Sequence, residues 1–300
     1  MKTFLTVNAL LTVLLLSSAM TTEPAKESSV FVSLDHGVTW NRGDRGFPEN
    51  DGVNALILHD NRVIAGTDSH GIWAMEKNGW YAQSHGLPKS SRVMSLLSYN
   101  QVLFAGLYNG GLFYSADDGS TWRAVEQRPK ANVRALAGFD GVLYAGTDDG
   151  IYKVDIRLGT WEPMLGGRQV NSFTFNDKYI YASTNLGVVR SNDGSTWESI
   201  YDRGAINKVV VNKSEILLMD YSGNVYRGEE THPFFVKMDL FLPHTYFQLT
   251  PSSPKIMGGE WSELSFMKYG YRRGLPNIPL SILLQTPFGL FAVRSLSSGC

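Results

Sequence analysis

The chain has 300 residues with 27 Lys and Arg against 28 Asp and Glu, a formal net charge of −1. That near-balance offers neither a basic stripe for nucleic acid nor a polybasic membrane patch. Hydrophobic residues at 43%, 30 Gly, 15 Phe, 14 Tyr and 7 Trp suit one turn-rich, all-β domain with ample apolar mass for a core.

In chain order, Lys2, the apolar run from Phe4 to Leu16 and the small residues Ser17-Ser18-Ala19 predict a secretory signal peptide over residues 1–19. The run is too short for a membrane span, and a secreted or periplasmic protein is expected. Residues 20–28 form a loose polar leader, and a single domain is expected over 29–300. Ser29 to Trp40 has the pattern of the two outer strands of a repeat unit whose inner strands are missing. Five consecutive units follow. They are marked by Ala65-Gly66-Thr67 with Gly71-Ile72-Trp73, Ala105-Gly106-Leu107 with Gly111-Leu112-Phe113, Ala145-Gly146-Thr147 with Gly150-Ile151-Tyr152, Ala182-Ser183-Thr184 with Gly187-Val188-Val189, and Gly223-Asn224-Val225-Tyr226.

Within the first unit, four short apolar runs, Val53 to Ile57, Arg62 to Ala65, Ile72 to Met75 and Trp80 to Gln83, are separated by Asp-Asn, Asp-Ser-His-Gly and Lys-Asn-Gly turns. This reads as a four-stranded antiparallel meander. Four strands repeated every 36 to 40 residues predict the blades of a β-propeller. A faint unit lies between Phe234 and Arg273, and Ser281 to Arg294 reads as inner strands with no outer pair. The two termini can therefore complete one blade between them, which removes exposed sheet edges. The count is seven blades, with six as the alternative. Cys300 is the only cysteine, so no intramolecular disulfide can form. A monomer is expected, with Cys300 the one thiol able to link two copies.

Ser33-Leu34-Asp35-His36-Gly37-Val38-Thr39-Trp40 returns as Ser115-Ala116-Asp117-Asp118-Gly119-Ser120-Thr121-Trp122. A third copy ends in Gly194-Ser195-Thr196-Trp197; aligning Gly194, Thr196 and Trp197 puts Asn192 in the Asp position and Arg190 in the Ser position. The phrase Ser-x-Asp-x-Gly-x-Thr-Trp resembles the Asp-box of bacterial neuraminidase (BNR) repeat propellers, a group of sialidases, xyloglucan-active glycoside hydrolases, sortilin-like receptors and a photosystem assembly factor. The resemblance covers roughly residues 29 to 230. It implies that each box is the hairpin between the third and fourth strands of a blade, a structural element in which Ser33, Asp35, Gly37, Trp40, Ser115, Asp117, Gly119, Trp122, Gly194 and Trp197 hold a turn away from the central channel. Gly46-Phe47-Pro48 with Val53-Asn54-Ala55-Leu56, and Gly86-Leu87-Pro88 with Val93-Met94-Ser95-Leu96, also resemble steps in the periplasmic propellers of hybrid two-component sensors.

Ligands of propellers are expected at the channel mouth, where each innermost strand begins and the second strand turns into the third. Aligning the repeats puts Asn54, Arg92, Arg134, Asn171 and Asn207 at the first place and Asp68, His70, Tyr108, Asn109, Asp148, Asp149, Asn185 and Tyr221 at the second. A polar, aromatic, weakly charged mouth suits a carbohydrate or a protein loop. Sialidase chemistry is not expected, because no Arg-Ile-Pro phrase precedes the first box. No cofactor, metal or catalytic residue is predicted. The main reading is a non-catalytic binding or assembly module; the alternative is a secreted glycoside hydrolase or lyase, which would need an acid pair facing across the channel.

Overall fold

The computed structural model describes residues 28–35, 38–125, 132–212, 214–241, 280–287 and 289–294. These form 24 strands and no helix. In chain order, β1 (Val30–Ser33) and β2 (Asn41–Arg42) precede a first blade of β3 (Val53–His59), β4 (Arg62–Thr67), β5 (Ile72–Glu76) and β6 (Gly79–Ala82). The second blade comprises β7 (Val93–Tyr99), β8 (Val102–Leu107), β9 (Gly111–Ser115) and β10 (Arg123–Ala124), and the third β11 (Val133–Phe139), β12 (Val142–Thr147), β13 (Gly150–Asp155) and β14 (Thr160–Gly166). A fourth holds β15 (Val170–Phe175), β16 (Ile180–Thr184), β17 (Gly187–Ser191) and β18 (Glu198–Tyr201). The fifth holds β19 (Ile206–Asn212), β20 (Glu215–Asp220), β21 (Asn224–Glu229) and β22 (Val236–Phe241), and β23 (Leu280–Thr286) and β24 (Gly289–Arg294) come last. All six sheets have four antiparallel strands, and in five of them the order follows the sequence from the inside outward, as a propeller requires.

The sixth sheet joins the termini, in the order β2-β1-β24-β23. Val30 pairs with Val293 and Ser33 with Leu290, so the N-terminal strand closes a blade begun at the C-terminal end. Six blades are described, the smaller of the two counts. Of the faint unit expected over Phe234 to Arg273, the described part supplies only β22, the outer strand of the fifth blade; the rest lies outside the described residues, as do the predicted signal peptide, His36, Gly37 and Cys300.

The recurring Ala-Gly-Thr phrase has a packing cause. It ends the second strand of a blade, a strand buried on both faces, against which the next blade's inner strand lies. A Cβ on Gly66 would stand 2.5 Å from Val93 Cγ1, and one on Gly106 would stand 2.5 Å from the Val133 carbonyl oxygen. At these positions the missing side chain lets the following blade settle this closely. In the fourth blade Ser183 takes the place, and its hydroxyl donates to Asn207 O at 3.0 Å. The Thr that follows is fully buried and donates to the carbonyl that opens the third strand: Thr67 to Gly71 O at 3.0 Å, Thr147 to Gly150 O at 2.9 Å, Thr184 to Gly187 O at 3.0 Å. Each bond closes a turn that would otherwise leave a buried polar group unpaired.

The Gly-x-Pro links between blades are fasteners too. Gly46 has φ +79° and a Cβ there would meet Trp80 O at 2.5 Å, while Trp80 N donates to Arg45 O at 2.8 Å. The second link repeats the arrangement, with Trp122 N on His85 O at 2.8 Å. The indoles of Trp80 and Trp122 reach back to the preceding connection, donating to Gly43 O at 2.6 Å and Gln83 O at 2.8 Å.

Candidate functional site

Every first strand shows a break in register after its first residue: Val53 pairs with Thr67 but Ala55 with Gly66, and the same shift recurs at Val93/Ser95, Val133/Ala135, Val170/Ser172, Ile206/Lys208 and Leu280/Ile282. The extra residue of each bulge is thereby turned out of the ladder. In the five blades numbered first to fifth, these residues are Asn54, Met94, Arg134, Asn171 and Asn207. Four of them fall at the expected mouth positions. In the second blade the bulge residue is Met94, and Arg92 sits two residues earlier, in the connection leading into β7.

The inner strands surround an open cavity of about 690 Å³ whose wall includes Asn54, Met94, Ser95, Arg134, Asn171 and Lys208. At the mouth the carboxylates are tied to neighbours. Asp68 accepts from Asn54 Nδ2 at 3.3 Å and lies 2.6 Å from Arg92 Nε, an ion pair whose N–H is not aligned for a hydrogen bond. Arg92 also stacks over Tyr108 at 5.3 Å. Asp148 accepts from Asn132 Nδ2 at 2.5 Å and from Arg134 Nη1 at 3.4 Å. Asp149 accepts from Thr147 Oγ1 at 2.6 Å and Tyr152 OH at 3.1 Å; burial, and then the Asp149 charge, push the Tyr152 phenol up. Asn109 N donates to Asn132 Oδ1 at 2.6 Å, and Gln169 N donates to Asn185 Oδ1 at 2.9 Å. Tyr108 and Tyr221 stay 44% and 46% exposed, broad aromatic faces at the rim.

Two asparagines hold the ring together. Asn54 Nδ2 donates to Val93 O at 3.1 Å and Asn171 Nδ2 to Ile206 O at 2.8 Å, each reaching the first residue of the next blade's inner strand. Asn207, 7% exposed, has no partner for Nδ2 among the described residues.

Sequence alignment missed Asp51, Asn132 and Lys208. Asp51 is 2% exposed and accepts from Ser69 Oγ, His70 N and His70 Nδ1 at 3.0, 3.0 and 2.8 Å, so it organises the loop that carries His70. Its visible signal was the Glu49-Asn50-Asp51-Gly52 turn. Lys208 stands in the inner strand β19 directly before the apolar run Val209-Val210-Val211. Burial, and then the like charge of Arg134, bring its amine down from 10.5 to about 8.

The Ser-x-Asp hairpins lie at the opposite end of the blades, between third and fourth strands. Asp35 Oδ1 accepts from Ser33 Oγ and Thr39 N, both at 2.8 Å, and Asp117 Oδ1 accepts from Ser115 Oγ at 2.7 Å and Thr121 N at 2.9 Å. The threonine hydroxyls close on the second oxygens at 2.6 and 2.5 Å. These bonds hold both carboxyls down at about 2, so they are turn anchors and permanently ionised near neutrality. The third copy corrects the sequence alignment: Ser191 Oγ donates to Asp193 Oδ1 at 2.9 Å, and Thr196 N to the same oxygen at 2.7 Å. Ser191 and Asp193, not Arg190 and Asn192, take the Ser and Asp roles, because one residue is missing after the aspartate. The shorter turn leaves the Trp197 indole bonded to its own Gly194 O at 3.1 Å, whereas Trp122 reaches across to Gln83.

Among the described residues His59, Asp60 and Asp118 are grouped closely enough to share a cation. Buried His59 instead satisfies itself locally, Nδ1 with Ser98 Oγ at 2.8 Å and Nε2 with Asp118 Oδ1 at 3.2 Å. No described helix is long and apolar enough to cross a membrane.

With this geometry in view, the chain is similar to several known propellers. A family model described as the DUF6242 beta propeller domain matches residues 50–166, which span the first three blades. No curated protein sequence matches. The computationally designed Ika8 protein is similar at TM-score 0.56 and 13% identity over 90% of this chain and 81% of its own. An ancestral GH74 enzyme is similar at TM-score 0.54 and 16% identity, over 71% of this chain and 33% of its own. The extracellular domain assigned to a one-component system of B. thetaiotaomicron is similar at TM-score 0.50 and 11% identity, over 85% of this chain and 40% of its own. The chain thus spans about a third and two fifths of the latter two, and at these identities the likeness is one of fold: the chain folds as a β-propeller of four-stranded antiparallel blades.

Proposed function

We propose that this protein is an exported binding or assembly module of the Asp-box type whose ligand, a carbohydrate, sits at the mouth of the central channel. The observation that carries this reading is the mouth itself: Tyr108 and Tyr221 present exposed rings in loops between second and third strands, at the end of the ring where the inner strands that line the cavity of about 690 Å³ begin. Aromatic faces beside amide and hydroxyl groups offer a sugar both stacking area and hydrogen bonds. Support for binding rather than hydrolysis comes from the acids. Asp68, Asp148 and Asp149 are each engaged by a neighbouring amide, cation or hydroxyl, whereas a glycosidase needs one acid free to donate a proton and a second facing it.

The test is a polysaccharide and glycan array probed with residues 20–300, with reducing-sugar release measured in the same wells. Binding without release, weakened by Tyr108→Ala, is the expected result. Release of reducing sugar would replace the module reading with a glycoside hydrolase, and silence in both readouts would redirect the search to a protein partner.

A further inference from the structure

Lys208 stands in the wall of the central cavity, and among the described residues no carboxylate pairs with it. The charge that acts on it is a like one, the guanidinium of Arg134 across the channel wall. Arg134 is itself under-used: Nη1 makes a long 3.4 Å contact with Asp148, already held by Asn132, while its buried Nε has no partner among the described residues. Arg134 and Asp148 cancel in charge. Asp140, Asp177 and Lys178 also line the cavity, but from the hairpins that follow β11 and β15, at its far end. At the Lys208 end one positive charge is left over, facing a cavity that can admit a sugar-sized molecule, and a desolvated ammonium without a counter-charge is costly.

We propose that the central channel is a carboxylate-binding site, in which Lys208 Nζ and the Arg134 guanidinium receive the single negative charge of an acidic, uronate-type saccharide. A surplus of one positive charge matches a carboxylate monoanion and would be overfilled by a phosphate dianion. The planar guanidinium offers paired donors to a carboxylate and the ammonium a point charge, so the two together fix both its orientation and its charge. This assignment rests on the saccharide-binding reading and names the class of saccharide.

Isothermal titration with galacturonate, galactose and acetate tests it on the whole protein. Galacturonate is expected to bind about tenfold or more tighter than galactose, the factor a charge-assisted hydrogen bond supplies. Lys208→Met should abolish that preference, and Arg134→Gln should reduce it; the second variant keeps the test decisive if the first does not fold. Equal affinities for the two sugars, or a preference that survives Lys208→Met, would overturn the carboxylate site and leave the saccharide module standing. Acetate raising the thermal midpoint in a Lys208-dependent way, with neither sugar bound, would uphold the carboxylate site and remove the saccharide. No response to any of the three would remove both.

Discussion

Replacing Gly106 by alanine tests the claim that the repeated glycine of the second strand sets the spacing between blades. The added Cβ would stand 2.5 Å from the Val133 carbonyl oxygen and 2.6 Å from Val133 Cγ1. Both atoms belong to the inner strand of the next blade, and a backbone oxygen cannot swing aside as a side chain can. Overpacking of this kind costs about 1–3 kcal/mol, against which the stiffer unfolded chain returns about 0.4–1 kcal/mol. The net loss is about 1–2 kcal/mol, or roughly 2–8 °C in thermal midpoint for a domain of this size. Gly166→Ala is the matched control. Gly166 closes β14 at the surface, its backbone is not left-handed, and a Cβ there meets nothing within 4 Å. That substitution should raise stability by about 0.4–1 kcal/mol through the unfolded state alone. Urea unfolding of the two variants beside the parent measures both shifts. If they agree within about 0.5 kcal/mol, the glycine is not a spacer and the inter-blade packing argument fails.

Deleting residues 28–33 removes β1 and exposes the edge of β24; losing the burial of Val30 and Phe31 should cost about 3–6 kcal/mol, and a truncated chain that melts with the parent would refute closure through the termini. Asp117 is held at about 2 in the fold against 3.8 unpaired, so its contribution is complete above pH 4 and lost as pH falls from there toward 2. Asp117→Asn should flatten the acid limb of the stability curve in that window, read by circular dichroism melts from pH 5 to pH 2. Lys208, lowered to about 8 from 10.5, has the opposite sense: the folded state loses its proton first, so parent stability rises as pH goes from about 8 to 10.5. Lys208→Met should raise the midpoint at pH 7 and remove that rise, whereas an unchanged pH profile would mean that the amine is fully hydrated.

The fold was legible because its repeat encodes contacts that recur in every blade. Ala-Gly-Thr states a buried second strand, a close neighbour and a closed turn in three letters, and each letter has a partner in the structure: Val93 against Gly66, Gly71 O against Thr67. The terminal blade was legible for the same reason, since Ser29 to Trp40 contained an outer pair without an inner one. Blade count was harder to read, because β22, the outer strand of the fifth blade, carries none of the Ser-x-Asp phrasing and falls inside the span read as a faint further unit, most of which lies outside the described residues. The third hairpin misled for a related reason. An alignment anchored on Gly, Thr and Trp preserves those letters, whereas the turn preserves the bonds of a carboxylate, and Asp193 keeps those bonds by accepting from Thr196 N three residues on instead of four.

At the mouth, alignment located positions but could not see what their side chains were doing. Asn54 and Asn171 occupy the bulge, as a ligand-binding residue would, yet their amides are spent on the carbonyls of the next blade. The same letter at the same place in two blades suits an inter-blade fastener, since both asparagines make the same joint with the blade that follows. A ligand makes no such demand: it breaks the rotational symmetry of the ring, so residues that serve it should differ from blade to blade. Arg134 and Lys208 are departures of that kind, the one charged residue among the first-to-fifth bulges and a lysine where the equivalent positions carry Ala55, Ser95, Ala135 and Ser172. In a propeller the repeated letters describe the ring and the unrepeated ones describe its use. By that criterion the strongest pointer to function in this chain is a lysine that the repeat pattern passes over.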